Sequence, residues 1–370
     1  MRILTFCALM LTSVLCLAAA TGCVSKQAPS YDAPKRIGLI IEPDDANDVG
    51  YNLGWAQNLS LPDDHKVIHA VALHDLVIVV EHPGNIVTAI NTRDGSVRWR
   101  SAIGIGEGEL FEPVAFEDRI LINTVKSIYT VSTDSGNIVG RDELEHVVQT
   151  RPTLYGEFAF FGSVNGRLFA HRVKSGFPHW EYGMSNAITA PIAVDNGHVA
   201  VADNNGTSAL LNADDGSVLW RRISYDRIST QPVIGDDFVA FASHDRSLYG
   251  LDRATGEDLW IFRGTRALTR PPHYLDNQLY LPVDGVGLFA INPQTGEQNW
   301  LFKRAATPIA VTNGTLLAND TNALLRIDAR TGDLIREAPT RRLAAIVPVD
   351  NDLVLISPTG RVLRINNTLR

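Results

Sequence analysis

Two histidines four residues apart, His65 and His69 in HKVIH, have the spacing of metal ligands on one helix face, but no Glu occupies the HExxH position and the segment runs into a strand. They read as solvated or partly packed side chains. His74 and His82 follow nearby, yet strand alternation sends such side chains to different faces, so no metal site is expected. Glu42, Asp44, Asp45 and Asp48 are calcium-type oxygen donors, but in EPDDANDVG Val49 falls where the third donor of a calcium loop belongs. A solvated acidic stretch accounts for them. IGIGEGE at residues 103 to 109 has the glycines of a phosphate loop with two carboxylates and no Lys, and no nucleophile elbow or P-loop motif opens a helix. No catalytic residue emerges.

The three cysteines are Cys7, Cys16 and Cys23. Arg2, the apolar run from Ile3 to Ala19 and the small residues before Cys23 have the layout of a secretory signal, and Ala20-Thr21-Gly22-Cys23 resembles a bacterial lipobox. On that reading residues 1–22 are a lipoprotein signal peptide, Cys23 is acylated, and the protein is held at the periplasmic side of a bacterial envelope membrane, the outer one by preference. No thiol remains for a disulfide, so a fold in an oxidising compartment must rest on core and closure alone. Residues 23–52 read as the lipidated Cys and a polar tether, and 53–370 as one folded domain. The charge, 33 Lys and Arg against 41 Asp and Glu, is −8 and spread along the chain, which argues against a nucleic-acid partner.

The elements that must position any site come from a repeat. Turn glycines at Gly95, Gly136, Gly176, Gly216, Gly256, Gly296 and Gly332 lie 41, 40, 40, 40, 40 and 36 residues apart. Four residues after five of them stands Trp99, Trp180, Trp220, Trp260 or Trp300, while Gly140 and Arg336 take that place in the other two. Within a unit such as Thr230 to Trp260, apolar runs alternate with Gly/Asp/Asn turns, four strands per forty residues, a propeller-blade rhythm. Eight such units can be counted, and the eighth lacks an outer strand. The segment around Trp55 is expected to supply it, closing an all-β, eight-bladed ring of four-stranded antiparallel blades by pairing the chain's two ends.

AINTRDGSVRW from Ala89, AHRVKSGFPHW from Ala170 and AINPQTGEQNW from Ala290 share Ala, Gly and Trp at fixed places. This resembles the tryptophan-docking motif of quinoprotein-type (PQQ-repeat) eight-bladed propellers, which implies structural docking roles for Trp55, Trp99, Trp180, Trp220, Trp260 and Trp300. The family has an enzymatic branch, the dehydrogenases dependent on pyrroloquinoline quinone. It also has a non-enzymatic branch of periplasmic lipoproteins, the BamB outer-membrane protein assembly factors. The dehydrogenases are longer, and many stack the quinone on a vicinal disulfide, which this chain cannot form. The length, lipobox and minimal blades are closer to the non-enzymatic branch.

That resemblance implies a non-catalytic scaffold with no cofactor, pyrroloquinoline quinone not being expected, and an envelope protein, the β-barrel assembly machinery, as partner. The alternatives are a compact quinoprotein dehydrogenase and an envelope ligand or stress sensor. Strand order places the longer connections between blades on one face, where a partner would dock. There the 100–112 loop carries Leu110 and Phe111 beside Glu107, Glu109 and Glu112, and the next loop adds Asp142, Glu143 and Glu145. Later loops carry Arg221, Arg222, Arg227, Arg263, Arg266 and Arg270. Leu110, Phe111, Arg227, Arg266 and Arg270 are the expected partner contacts, with opposite charges on opposite sides orienting the partner.

Overall fold

The computed structural model describes residues 39–368. The expected signal peptide and Cys23 lie outside the described residues. Eight four-stranded antiparallel sheets make the ring. We number them as blades I to VIII in chain order, with strands A to D from the axis outward.

Blade V shows how sequence becomes blade. Its second strand, Phe238–Ala242, is FVAFA and buried throughout, because its sheet is covered on both faces by neighbouring blades. Its outer strand, Asp258–Arg263, hides mainly Trp260 and faces solvent elsewhere. The inner strand is only Val233–Ile234. Pro232 precedes it, and a proline cannot donate to a sheet ladder.

In blade VIII the inner three strands are Ala345–Val349, Asp352–Ile356 and Arg361–Asn367, and the outer one is Tyr51–Asn58 from the other end of the chain. Tyr51 pairs with Asn367, Leu53 with Ile365 and Asn58 with Arg361. The backbone N–H and hydroxyl of Thr368 both donate to the Gly50 carbonyl, each at 2.9 Å. The ring is thereby closed by hydrogen bonds between its ends.

Residues before 53 also pack on the ring. Ile40, Ile41, Ala46 and Val49 are buried against Leu317, Leu324 and Ala338 of blade VII and Leu353, Leu363 and Ile365 of blade VIII. A six-residue helix, Pro43–Asp48, sits among them, with Pro43 in its first turn and Asp44 and Asp45 at its positive end. The stretch read as an acidic tether therefore contributes, from Leu39 on, a plug over two blades. Four apolar residues scattered among acids lack a strand or long-helix period, so the pattern does not announce it.

Six tryptophans dock blade on blade in one geometry. The indole N–H of Trp55, Trp99, Trp180, Trp220, Trp260 and Trp300 donates to the carbonyls of Thr92, Thr133, Ala213, Arg253, Pro293 and Ala329, at 2.7 to 2.9 Å. Each ring covers the C-to-D turn glycine of the next blade, for example Trp260 over Gly296. There φ is +71°, and a Cβ would lie 2.7 Å from the ring. Left-handed backbone and ring contact both require glycine at that turn. Within its own blade Trp260 lies opposite Gly250, beside a bulge that turns the outer strand.

Candidate docking face

The connections from one blade's outer strand to the next blade's inner strand share a face with the B-to-C turns. They are short and pinned. In the connection between blades IV and V, the Ser224 hydroxyl lies 3.0 Å from the Gly206 carbonyl and 2.9 Å from that of Asp226. The Ser243 hydroxyl donates to the Asp226 carbonyl at 3.0 Å, and the Tyr225 amide donates to Asp245 at 3.2 Å. The side chains on either side of Ser224 point into solvent. Ile223 is 68% exposed and Tyr225 90%. An aromatic and a β-branched residue held out on a rigid turn lose little entropy when a partner covers them.

The sequence-predicted contacts divide. Leu110 is 1% exposed and packs with Ile103, Ile120 and Tyr129 between blades I and II, so it cannot serve as an offered anchor. Its loop folds back over apolar surface, which leaves a leucine there no reason to face water. Phe111 is half-buried. Arg270 is also held internally, donating to the Ala305 carbonyl at 2.8 Å and to the Thr307 hydroxyl, with Asp284 at 3.5 Å. Arg227 is exposed and reaches Nδ1 of His244 at 3.1 Å. Arg266 is exposed beside Gly285.

The charge pattern is thinner than the sequence count. Glu107 pairs with Arg141 at 2.7 Å; burial pushes its carboxyl up, but the Tyr129 and Ser127 hydroxyls and the Arg141 guanidinium together hold it below the usual range. Arg222 leaves the face to grip Asp258 of blade V at 2.7 Å and lie over the Tyr249 ring. Arg227, two residues after Tyr225, and Arg266, in the next connection, stay exposed. Tyr225 and Ile223 escaped the sequence reading because an apolar pair at a strand end looks like core. The non-helical, Ser-Tyr-Asp turn that follows Ile223 was the available signal.

At the axis, on the same face, the Arg151 guanidinium donates to the Gln231 side-chain carbonyl at 3.4 Å, linking the connection that enters blade III to the one that enters blade V. His69, in the inner strand of blade I, is pushed down by burial, with Glu112 and Glu109 opposing. His273, in blade VI, is pushed down to about 4 by burial and by Arg270. These side chains crowd the axial opening with polar groups, and residues 24–370 contain no cysteine.

Closed, tryptophan-docked, eight-bladed and built around a face of short pinned loops, the molecule belongs to the class of quinoprotein-type propellers. Residues 62–182 and 178–366 match the family described as outer membrane protein assembly factor BamB, and the chain belongs to that family. BamB of Burkholderia pseudomallei is 24% identical over 196 residues, 51% of this chain and 48% of that protein. BamB of Legionella pneumophila is 26% identical over 165 residues, 40% and 42% of the two chains. The aligned part thus spans about half the length of these relatives. Among solved structures, BamB from Moraxella catarrhalis superposes with a TM-score of 0.69 at 20% identity, covering 86% of this chain and 98% of that one. The quinohemoprotein alcohol dehydrogenase from Comamonas testosteroni gives 0.68 at 11% identity, covering 88% and 78%. At such identities the likeness speaks for the fold alone.

Proposed function

We propose that this protein is a non-catalytic scaffold in assembly of outer-membrane β-barrel proteins, anchored through acylated Cys23 and presenting its loop face to the assembly machinery. The observation that carries the reading is the pinned turn that exposes Ile223 and Tyr225, followed along the chain by exposed Arg227 and Arg266, on a ring whose family is that of assembly factors. Aromatic residues in solvent-facing positions are the usual anchors of protein interfaces, and exposed cations on the same face steer an acidic partner. The polar crowding at the axis and the lack of a cysteine pair favour this reading over a quinone enzyme. Many members of the dehydrogenase branch stack the quinone on a vicinal disulfide, which residues 24–370 cannot form.

The test is affinity capture from detergent-solubilised membranes with the full chain, beside fractionation of Cys23→Ser. The reading expects co-purification of the barrel-assembly machinery and release of the Cys23→Ser protein to the soluble fraction. Dye-linked alcohol oxidation on adding pyrroloquinoline quinone and calcium, with no such capture, would turn the reading to the enzymatic branch.

A further inference from the structure

Blade II carries Gly140 where its neighbour blade I carries Trp99, so no indole bridges blades II and III. A different set of side chains fills that seam. Beyond Gly140, Asp142 reaches across to blade III, where its carboxylate takes the place over Gly176 that an indole takes elsewhere. Further along, Glu145, His146 and Glu181 bring one ligand atom each to within 4.8 Å of one another. His146 Nε2 is already 3.1 Å from Glu181 Oε2. Two ligands on one tetrahedral zinc, each about 2 Å from the ion, lie about 3.3 Å apart. The His146 ring is held edge-on against Phe169 at 5.5 Å, which fixes its direction.

A second observation is independent of that cluster. His171, on the same face of its strand as Phe169, is 3% exposed, and its Nε2 has no hydrogen-bond partner. It faces this acidic seam, with Asp142 at 3.6 Å and Glu145 near enough to oppose the effect of burial on its titration. Glu145 and Glu181, two carboxylates at short range, are neutralised only in part by Arg167, 3.1 Å from the second oxygen of Glu181.

We propose that this seam binds a divalent transition-metal ion through Glu145, His146 and Glu181, with Asp142 and His171 behind them, and that the ion bolts blade II to blade III where the indole is missing. Glu145 and His146 come from the blade II connection and Glu181 from the outer strand of blade III, so one ion crosslinks two sheets.

Zinc chloride titrated by calorimetry into purified, chelator-treated full-length protein should bind one equivalent and raise Tm. Cobalt(II) in its place should give the visible absorption of a nitrogen- and oxygen-ligated ion. His146→Ala and Glu145→Gln should each weaken zinc about 10- to 100-fold or more. Glu145 is exposed and outside the blades, so Glu145→Gln decides the matter even if His146→Ala fails to fold. Absence of stoichiometric zinc binding to the wild type, or wild-type affinity in Glu145→Gln, overturns the proposal.

Discussion

The indole of Trp260 touches a glycine turn, donates a hydrogen bond to the Pro293 carbonyl and is 7% exposed, so it joins blade V to blade VI by packing and polar contact together. Replacing it with Ala should cost about 3 to 5 kcal/mol of stability, read as a lowered denaturant midpoint at an unchanged slope. His273 makes a contrasting residue-scale prediction. Its imidazole titrates at about 4 in the folded chain against 6.5 when free of the fold, so between those values the unfolded chain binds more protons. Stability therefore falls as pH drops from 6.5 toward 4, by about 1 to 3 kcal/mol from this group after allowance for partial exposure. Urea melts at the two ends of that window should converge in His273→Gln; an equal loss in the variant would assign the acid sensitivity to other groups. The tryptophan period was legible in the sequence because a rare, large residue recurred with a fixed offset from glycine. The partners of Glu81, fully buried with Arg100 at 2.8 Å, were not, since no local pattern links positions nineteen apart across two turns.

Among the elements, the N-terminal strand bears most on whether the ring closes. Tyr51–Asn58 forms the outer edge of blade VIII, and its Trp55 reaches forward to blade I. A chain beginning at Asp63 loses both, leaves Arg361–Asn367 as an open edge, and should melt at lower temperature with less cooperativity than one beginning at Leu39. Equal melting would mean that blade VIII closes without this strand. A chain beginning at Tyr51 should fall between the two, because it keeps the strand but uncovers Leu317, Leu353 and Leu363, on which Ile40, Ile41 and Val49 pack. Strand number and closure could be read from sequence by counting units and finding one strand short. The plug from Leu39 could not, because a six-residue helix is too short to show a period. Leu110 illustrates the same limit on a loop: its burial depends on the fold-back of residues 103 to 110 over blade II, a tertiary choice that composition does not encode.

At the scale of the whole ring, residues 39–368 present three distinct surfaces: outer strands, a face of tight turns and a face of pinned connections. Several charges on the third surface, among them Glu107, Arg222 and Arg270, are engaged within the protein, and its exposed apolar side chains include Ile105 and the Ile223–Tyr225 turn, with Arg227 and Arg266 exposed on the same face. Charge segregation read from sequence overstated the docking surface, because pairs such as Arg141 with Glu107 and Arg222 with Asp258 form only once blades stand side by side. The central claim is that partner binding runs through this turn. Its most direct test is the dissociation constant between the purified protein and the barrel subunit of the assembly machinery, measured for wild type and for Ile223→Ala/Tyr225→Ala with the melting temperature as a control. Anchors of this kind cost about 1 to 4 kcal/mol when truncated, so the account predicts affinity weakened about 5-fold or more at unchanged Tm. Wild-type affinity in the double variant would contradict it.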